Sequence, residues 1–394
     1  MMGAGMRKRM GVLLLTLLFL TGCSSGPGPS SAPAAETSGG RETAAGLEST
    51  APTAPTGGEP KPVTCSLASI RDKVKVKGRS SAVGEGVSLD WTASGLDIRG
   101  RFTGDVSLTA NLDSGKDAYF EVVVDGNREQ AAVFRMDPGV KTYPLASDLP
   151  EGEHTIELTK RTAATSNLVI AQSLTFTGEL QTVPAAERRI EFIGDSLTCG
   201  LGSEDSGGTI QDRCKTEDGA NTYAALTARA VGADYQVVSV SGWGVAAGAD
   251  DKNWRISHIY EKASYRRDSE KLWDFSGFRP DLVVINLGSN DDNFRRRGGS
   301  LTDEEFVAGV RELIALVRQN NPGAEIVWAY GLQASTMHPL LVKSFEQLGA
   351  EGITVHYVRL PQNTDGGSNH ASTYGHQYAA EKLTEQVKTI MGWD

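Results

Sequence analysis

Cysteine is scarce. There are four in 394 residues, and no two stand at a CxxC spacing, which excludes a zinc ribbon and a thioredoxin-like redox pair. Positive charge is also short: 39 Lys and Arg against 49 Asp and Glu leave a net charge of −10. With no basic helix and no aromatic RNA-binding motif, nucleic acid is not an expected partner. The one dense basic cluster, Arg295-Arg296-Arg297, reads as a solvated face rather than an anion site. Beyond the first residues no apolar run is long enough to cross a bilayer. No set of His, Cys and carboxylates has metal-ligand spacing, so no metal is expected.

What is present begins with an export signal. Arg7, Lys8 and Arg9 precede "GVLLLTLLFL", an apolar run too short for a mature membrane helix. "LTGC" follows and resembles the lipobox of bacterial lipoproteins. That resemblance implies a signal peptide over residues 1–23, lipidation of Cys23, and an exported protein of a bacterial envelope held to the membrane by its lipid alone. Residues 24–63 are Ser, Gly, Ala, Pro, Thr and Glu with almost no large apolar side chain. Such a segment cannot bury enough surface to offset its ordering entropy, so it reads as a tether.

The remaining chain has two periods. Through residues 64–181 the pattern alternates: Leu96, Ile98 and Phe102, then Val106, Leu108, Ala110 and Leu112, with "YFEVVVDGN" ending in a pair suited to a hairpin turn. Short alternating strands predict an all-β sandwich, jelly-roll-like. After the linker "GELQTVPAAERR", residues 188–394 alternate apolar strands ("IEFIG", "YQVVSVSG", "LVVINLG", "EIVWAYG", "TVHYVRL") with amphipathic helices. Thr302 and Glu305 make a capping box, and Phe306, Val310, Leu313, Ile314 and Val317 line one face of the helix that follows. This pattern predicts an α/β fold, a parallel sheet with helices on both faces.

In open parallel sheets ligands bind beyond the carboxyl ends of the strands. Polar residues collect there. "IEFIG" runs into Asp195 and Ser196, "QVVSVS" into Gly242 and Gly244, and "LVVINLGS" into Asn290 and Asp291. "TVHYVRL" runs into a polar loop holding His370 and His376. A serine is a nucleophile only when a base takes its proton, which a histidine can do. An oxyanion needs preorganised donors, which the Ser196 N–H, a glycine N–H and the Asn290 amide could supply.

"GDSLT", the glycine of "SGWG", "GSND" and the C-terminal histidine resemble the four blocks of the SGNH, or GDSL, hydrolases. The resemblance implies Ser196 as nucleophile, Gly242 and Asn290 as oxyanion donors with the Ser196 N–H, and His370 as base, with His376 structural. A narrower resemblance covers nearly everything after the tether. The β-domain with "YPLASDLPEGEHTIELTKRT", then "TEDGANTYAALTARAVGADY" and "WDFSGFRPDLVVINLGSND", is similar to carbohydrate esterase family 2. That implies removal of acetyl groups from sugar hydroxyls with no metal or organic cofactor, and an acetylated carbohydrate as partner. The rivals are an SGNH esterase or lipase for longer acyl chains and a non-catalytic glycan-binding lipoprotein.

Several residues are left open. Gly367 stands where the SGNH pattern has an acid, three residues before the histidine, and Ser368 where some relatives carry one. Either Asp365 reaches back as a third member or a backbone carbonyl orients His370. Trp243 could stack on a sugar or pack in the core. Trp273 and Trp328 read as core, His338 and His356 as surface or packing residues, and Asp195 and Asp291 as loop anchors. Cys199 and Cys214 flank the loop after the nucleophile in an oxidising compartment, so they are expected to pair and leave Cys65 free. Closing that loop would stabilise by about 3 kcal/mol in the chain-entropy model.

Overall fold

The change of period near residue 185 separates two sheets. A computed structural model describes residues 60–206, 208–267 and 271–394. The expected signal peptide, Cys23 and nearly all of the tether lie outside them.

The N-terminal sheet contains β1 (Val63–Ser66), β2 (Lys75–Lys77), β3 (Ala82–Val83), β4 (Gly86–Leu89), β5 (Gly95–Gly115), β6 (Ala118–Val124), β7 (Ala132–Met136), β8 (Gly139–Lys160) and β9 (Asn167–Gln181). The order is β3-β4-β9-β5-β8-β6-β7, with β1 on β9 and β2 on β5. Every pairing is antiparallel. Alternation along β5 sends Leu96, Ile98, Phe102, Val106, Leu108, Ala110 and Leu112 into one core. Asp125 and Gly126 both take positive φ, 51° and 69°, as the hairpin reading expects. A 3₁₀ turn at Arg128–Gln130 follows before β7, so the connection is longer than a two-residue loop.

The C-terminal sheet is parallel, ordered β11 (Ala233–Ser239), β10 (Arg188–Gly194), β12 (Leu282–Asn286), β13 (Glu325–Tyr330), β14 (His356–Arg359). Successive residues of a strand face opposite ways. Ile193, Val283, Ile285, Ile326 and Trp328 join α5 (Asp303–Asn320) and α6 (His338–Ala350) in one core. Their neighbours Phe192, Leu282, Val284, Val327 and Ala329 join α3 (Tyr223–Ala230) and α7 (Thr373–Met391) in another. Helices therefore cover both faces. The capping box at Thr302 and Glu305 is formed, and the five apolar residues named for that helix are all buried.

The two sheets are joined by polar contacts as well as apolar ones. Arg79 and Glu191, both fully buried, pair at 2.8 Å, and the Tyr260 hydroxyl and Gln236 amide donate to the same carboxylate, each at 2.6 Å. The Asp90 carboxylate accepts from the N–H groups of Tyr265 and Arg266 at 2.6 and 2.8 Å. Trp91, from the N-terminal part, packs in the core of α5 and α6. Trp328 is buried as expected, but Trp273 is not core: it is half-exposed, with the Arg79 guanidinium 5.8 Å from its ring centre.

Candidate active site

Strand ends bring the polar residues together. At the end of β10, Asp195 caps the short helix α1 (Ser196–Cys199) by accepting from the Leu197 N–H at 3.0 Å, which makes Ser196 its first residue. Ser196 Oγ lies 2.8 Å from His370 Nε2. The other ring nitrogen, Nδ1, lies 3.1 Å from the Ser368 carbonyl oxygen. A carbonyl can only accept, so the proton sits on Nδ1 and Nε2 is left to accept from the serine. Ser368 and Asn369 both have left-handed backbones, φ 54° and 58°, a conformation unfavourable for non-glycine residues. It directs the Ser368 carbonyl onto the ring. Burial lowers the His370 pKa, hydrogen bonds with the Ser368 and Gly367 backbone oppose that, and the Arg213 charge adds to it.

Asp365 is elsewhere. Its carboxylate accepts from the Asn363 amide at 2.8 Å and is exposed. The structure also gives a reason for Gly367. A Cβ there would stand 2.8 Å from Asp205 Cβ and from Ile210 Cγ1, so an acid at this position would collide with the loop after the nucleophile.

That loop and the histidine loop are sewn together. The N–H groups of Gly367, Ser368 and Thr373 donate to the carbonyls of Gly202, Gly208 and Ser203 at 2.9, 3.0 and 3.0 Å. Gly202 has φ +69°, and a Cβ on it would meet the Gly367 oxygen at 2.7 Å. Gly202→Ala should therefore shift the histidine loop. The expected result is a loss of about a hundredfold in kcat, the scale of an ångström-sized misplacement. Gly208→Ala is the control, because φ there is +82° but the space is open. Equal kcat losses in the two variants would remove the argument.

The donors behave as follows. The Gly244 N–H is taken by the Trp254 carbonyl at 2.9 Å, which leaves Gly242, φ +87°, as the better placed of the two glycines. Asn290, at the start of α4 (Ser289–Arg296), donates from Nδ2 to Asp195 Oδ2 at 3.0 Å and to the Trp243 carbonyl at 2.8 Å. The Asp291 carboxylate accepts from the Val245, Ala246 and Ala247 N–H groups at 3.0, 2.7 and 2.9 Å. Both aspartates thus anchor loops. Burial pushes the Asp195 carboxyl up to about 7, although the Leu197 N–H opposes it.

One expectation is corrected. Cys65, Cys199 and Cys214 are all unpaired. Cys199 Sγ turns to Ser239 Oγ at 3.2 Å, and Cys214, in α2 (Arg213–Thr216), is a second buried free thiol. Burial holds Cys199 as a neutral thiol with its pKa pushed up to about 11.

His376 is buried, accepts from the Tyr223 N–H through Nδ1 at 3.3 Å and stacks on that ring. Burial brings its pKa down to about 4, so it packs as a neutral side chain. His338 stacks on Tyr357, and His356 contacts Glu325 at 3.2 Å. Trp243 is half-buried, edge-on to Tyr265. The exposed indole beside Gly242 is Trp254, whose ring would lie 3.7 Å from a Cβ on that glycine. Sequence reasoning passed over Trp254. Arg296 and Arg297 are solvated, as expected, and with His370 they also line a pocket of about 540 Å³.

A family model described as the GDSL-like Lipase/Acylhydrolase family matches residues 192–380, and one described as Carbohydrate esterase 2 N-terminal matches residues 76–185. Cellulase/esterase CelE of Acetivibrio thermocellus is 32% identical over 325 residues, 78% of this chain but 38% of that protein. An acetylxylan esterase / glucomannan deacetylase of Cellvibrio japonicus is 24% identical over 344 residues, 84% of this chain and 92% of that protein. Among solved structures, a family two carbohydrate esterase from Clostridium thermocellum in complex with cellohexaose is 30% identical. It covers 82% of this chain and 100% of that one, with a TM-score of 0.75.

Proposed function

This chain belongs to carbohydrate esterase family 2, and from that premise we propose that it removes O-acetyl groups from a polysaccharide or oligosaccharide through an acyl-serine intermediate. It is a serine esterase. The observation that carries the mechanism is the 2.8 Å contact of Ser196 Oγ with His370 Nε2, with the opposite ring nitrogen on the Ser368 carbonyl. His370 takes the serine proton as Oγ attacks the acetyl carbonyl. The N–H groups of Ser196 and Gly242 and the Asn290 amide stabilise the oxyanion. His370 then returns the proton to the leaving sugar oxygen, and a water repeats the sequence to release acetate.

The reading is a Ser-His dyad. In a serine triad, replacing the carboxylate by its amide costs about 10⁴-fold in kcat, in the protease used to define that figure. Because Asp365 is bonded to Asn363 rather than to His370, Asp365→Asn should cost roughly tenfold or less. A loss of thousands with unchanged Tm would make Asp365 the third member.

The lowered pKa of His370 sets a pH dependence. The base stays neutral to lower pH than free imidazole, so kcat/KM should rise with pH and reach half its plateau below about 6.5. A midpoint above 7 would contradict that assignment.

We read the N-terminal sheet as a sandwich. At ~3.4 Å per residue, β5 (21 residues) and β8 (22 residues) are too long for one layer, and register shifts between Phe102 and Val106 bend them. Placement outside the cell, tethered through Cys23, follows from the lipobox. The deciding experiment is acetate release from a panel of acetylated polysaccharides by protein lacking its first sixty or so residues. It should be run beside acetyl, butyryl and octanoyl esters. A pocket sized for one methyl favours acetyl, whereas a lipid-acting groove gains with each methylene. Faster turnover of octanoyl esters would overturn the acetylesterase reading.

A further inference from the structure

We infer that the glycan this site deacetylates is acidic, with a uronic acid carboxylate close to the acetylated hydroxyl. The inference rests on the acetylesterase reading above and adds the charge of the substrate. Of the side chains lining the pocket beside His370, two are arginines, Arg296 and Arg297, and among the described residues none is a carboxylate. The other walls are neutral polar groups such as Gln333, Thr364 and Asn369. The protein as a whole carries a net charge of −10, yet the charged side chains that line this pocket are arginines, and their carboxylate partners Asp292 and Asp250 stand outside the lining.

Neither guanidinium is used up by its protein partners. Arg296 donates from Nε to Asp292 Oδ2 at 2.8 Å and from Nη2 to the Asn293 side chain. Arg297 donates from Nη1 to Asp250. A guanidinium has five N–H donors in a planar fork matched to a carboxylate, so both retain donors. Their side chains are 63% and 61% exposed, and Asp250 is 64% exposed. An ion pair that open to water holds weakly, so Arg297 can exchange Asp250 for a substrate carboxylate at little cost. Arg296 is better fixed, because Asp292 is itself nearly buried and sits in the same helix.

The geometry places this charge where it acts on polymer recognition. His370 belongs to the same pocket wall, so a sugar carboxylate that enters this pocket beside the base meets Arg296 and Arg297. A neutral xylan or mannan gains nothing from that wall. An acidic glycan gains a charge-assisted contact and a steered approach, both weakened by salt.

The test uses one acetylated polyuronate and the same polymer after reduction of its carboxyl groups to alcohols, with acetyl content matched. The wild-type protein should show kcat/KM roughly tenfold higher on the acidic polymer, mainly through KM, and the ratio should shrink between 0.05 and 1 M salt, as the screening length falls to about 3 Å. In Arg296→Gln/Arg297→Gln the ratio should fall towards one. In Arg296→Lys/Arg297→Lys part of it should return. Equal rates on the two polymers, or a ratio untouched in the glutamine variant, overturns the acidic-substrate inference and leaves the acetylesterase reading standing. No acetate from either polymer, nor from a panel of neutral acetylated polysaccharides, with cleavage of a small acetyl ester intact, overturns both.

Discussion

Ser196→Ala is expected to lower kcat/KM for a small acetyl ester by roughly 10⁴-fold or more, with Tm nearly unchanged. In the proposed mechanism this hydroxyl forms the ester to the acetyl group, and among the described residues no second hydroxyl or thiol is hydrogen-bonded to His370 Nε2. Cys199, three residues on, cannot substitute: it faces Ser239 and is held neutral by burial. The fold loses one hydrogen bond, worth about 1 kcal/mol. Activity measured with near-UV circular dichroism on the same sample would check both halves. Retention of even a tenth of the wild-type rate would reject the acyl-serine mechanism.

The second large effect is at Asn290. Asn290→Ala should cost on the order of 10²–10³ in kcat, the range found when one side-chain oxyanion donor is removed elsewhere, with little change in KM. Both hydrogens of its amide are donated in this structure, to Asp195 Oδ2 and the Trp243 carbonyl, which fixes the amide in place and requires it to exchange one of these acceptors for the oxyanion. Asn290→Asp should be worse. It keeps the shape but sets a second carboxyl against Asp195, which is fully buried and already pushed up to about 7, and it puts negative charge where the oxyanion forms. A kcat within tenfold of wild type in Asn290→Ala, with Tm preserved, would take Asn290 out of the site.

Ser196, Asn290 and His370 were legible because their chemistry is written in residue type and each follows an apolar strand of a parallel sheet. The core helix was legible for a similar reason: a capping box and a 3.6-residue period are local. What was not legible depends on side-chain direction or on contacts between distant segments. Cys199 and Cys214 flank one loop, yet both thiols are free and that of Cys199 faces Ser239, and no spacing encodes that. Gly367 looked like a missing acid; the cause is contact with Asp205 and Ile210, residues of another loop. Arg296 and Arg297 looked solvated, which they are, and with His370 they also line one pocket. Trp254 was missed because Trp243 stands nearer the glycine in sequence, while the fold brings Trp254 back over it.

The Arg79–Glu191 pair has a consequence for how the molecule melts. Glu191 lies in the central β10 and meets its guanidinium partner from the other half of the chain. Cutting at residues 182–187 and separating the halves would strip that partner and leave a carboxylate inside a sheet, a change that typically costs 3–5 kcal/mol, comparable to much of a domain's net stability. The sequence boundary is thus a seam in pattern but not in cooperativity. Intact protein should unfold in one calorimetric transition, with equal van't Hoff and calorimetric enthalpies. A fragment beginning at residue 188 should lack a sharp transition, so the catalytic half depends thermodynamically on the β-domain before it.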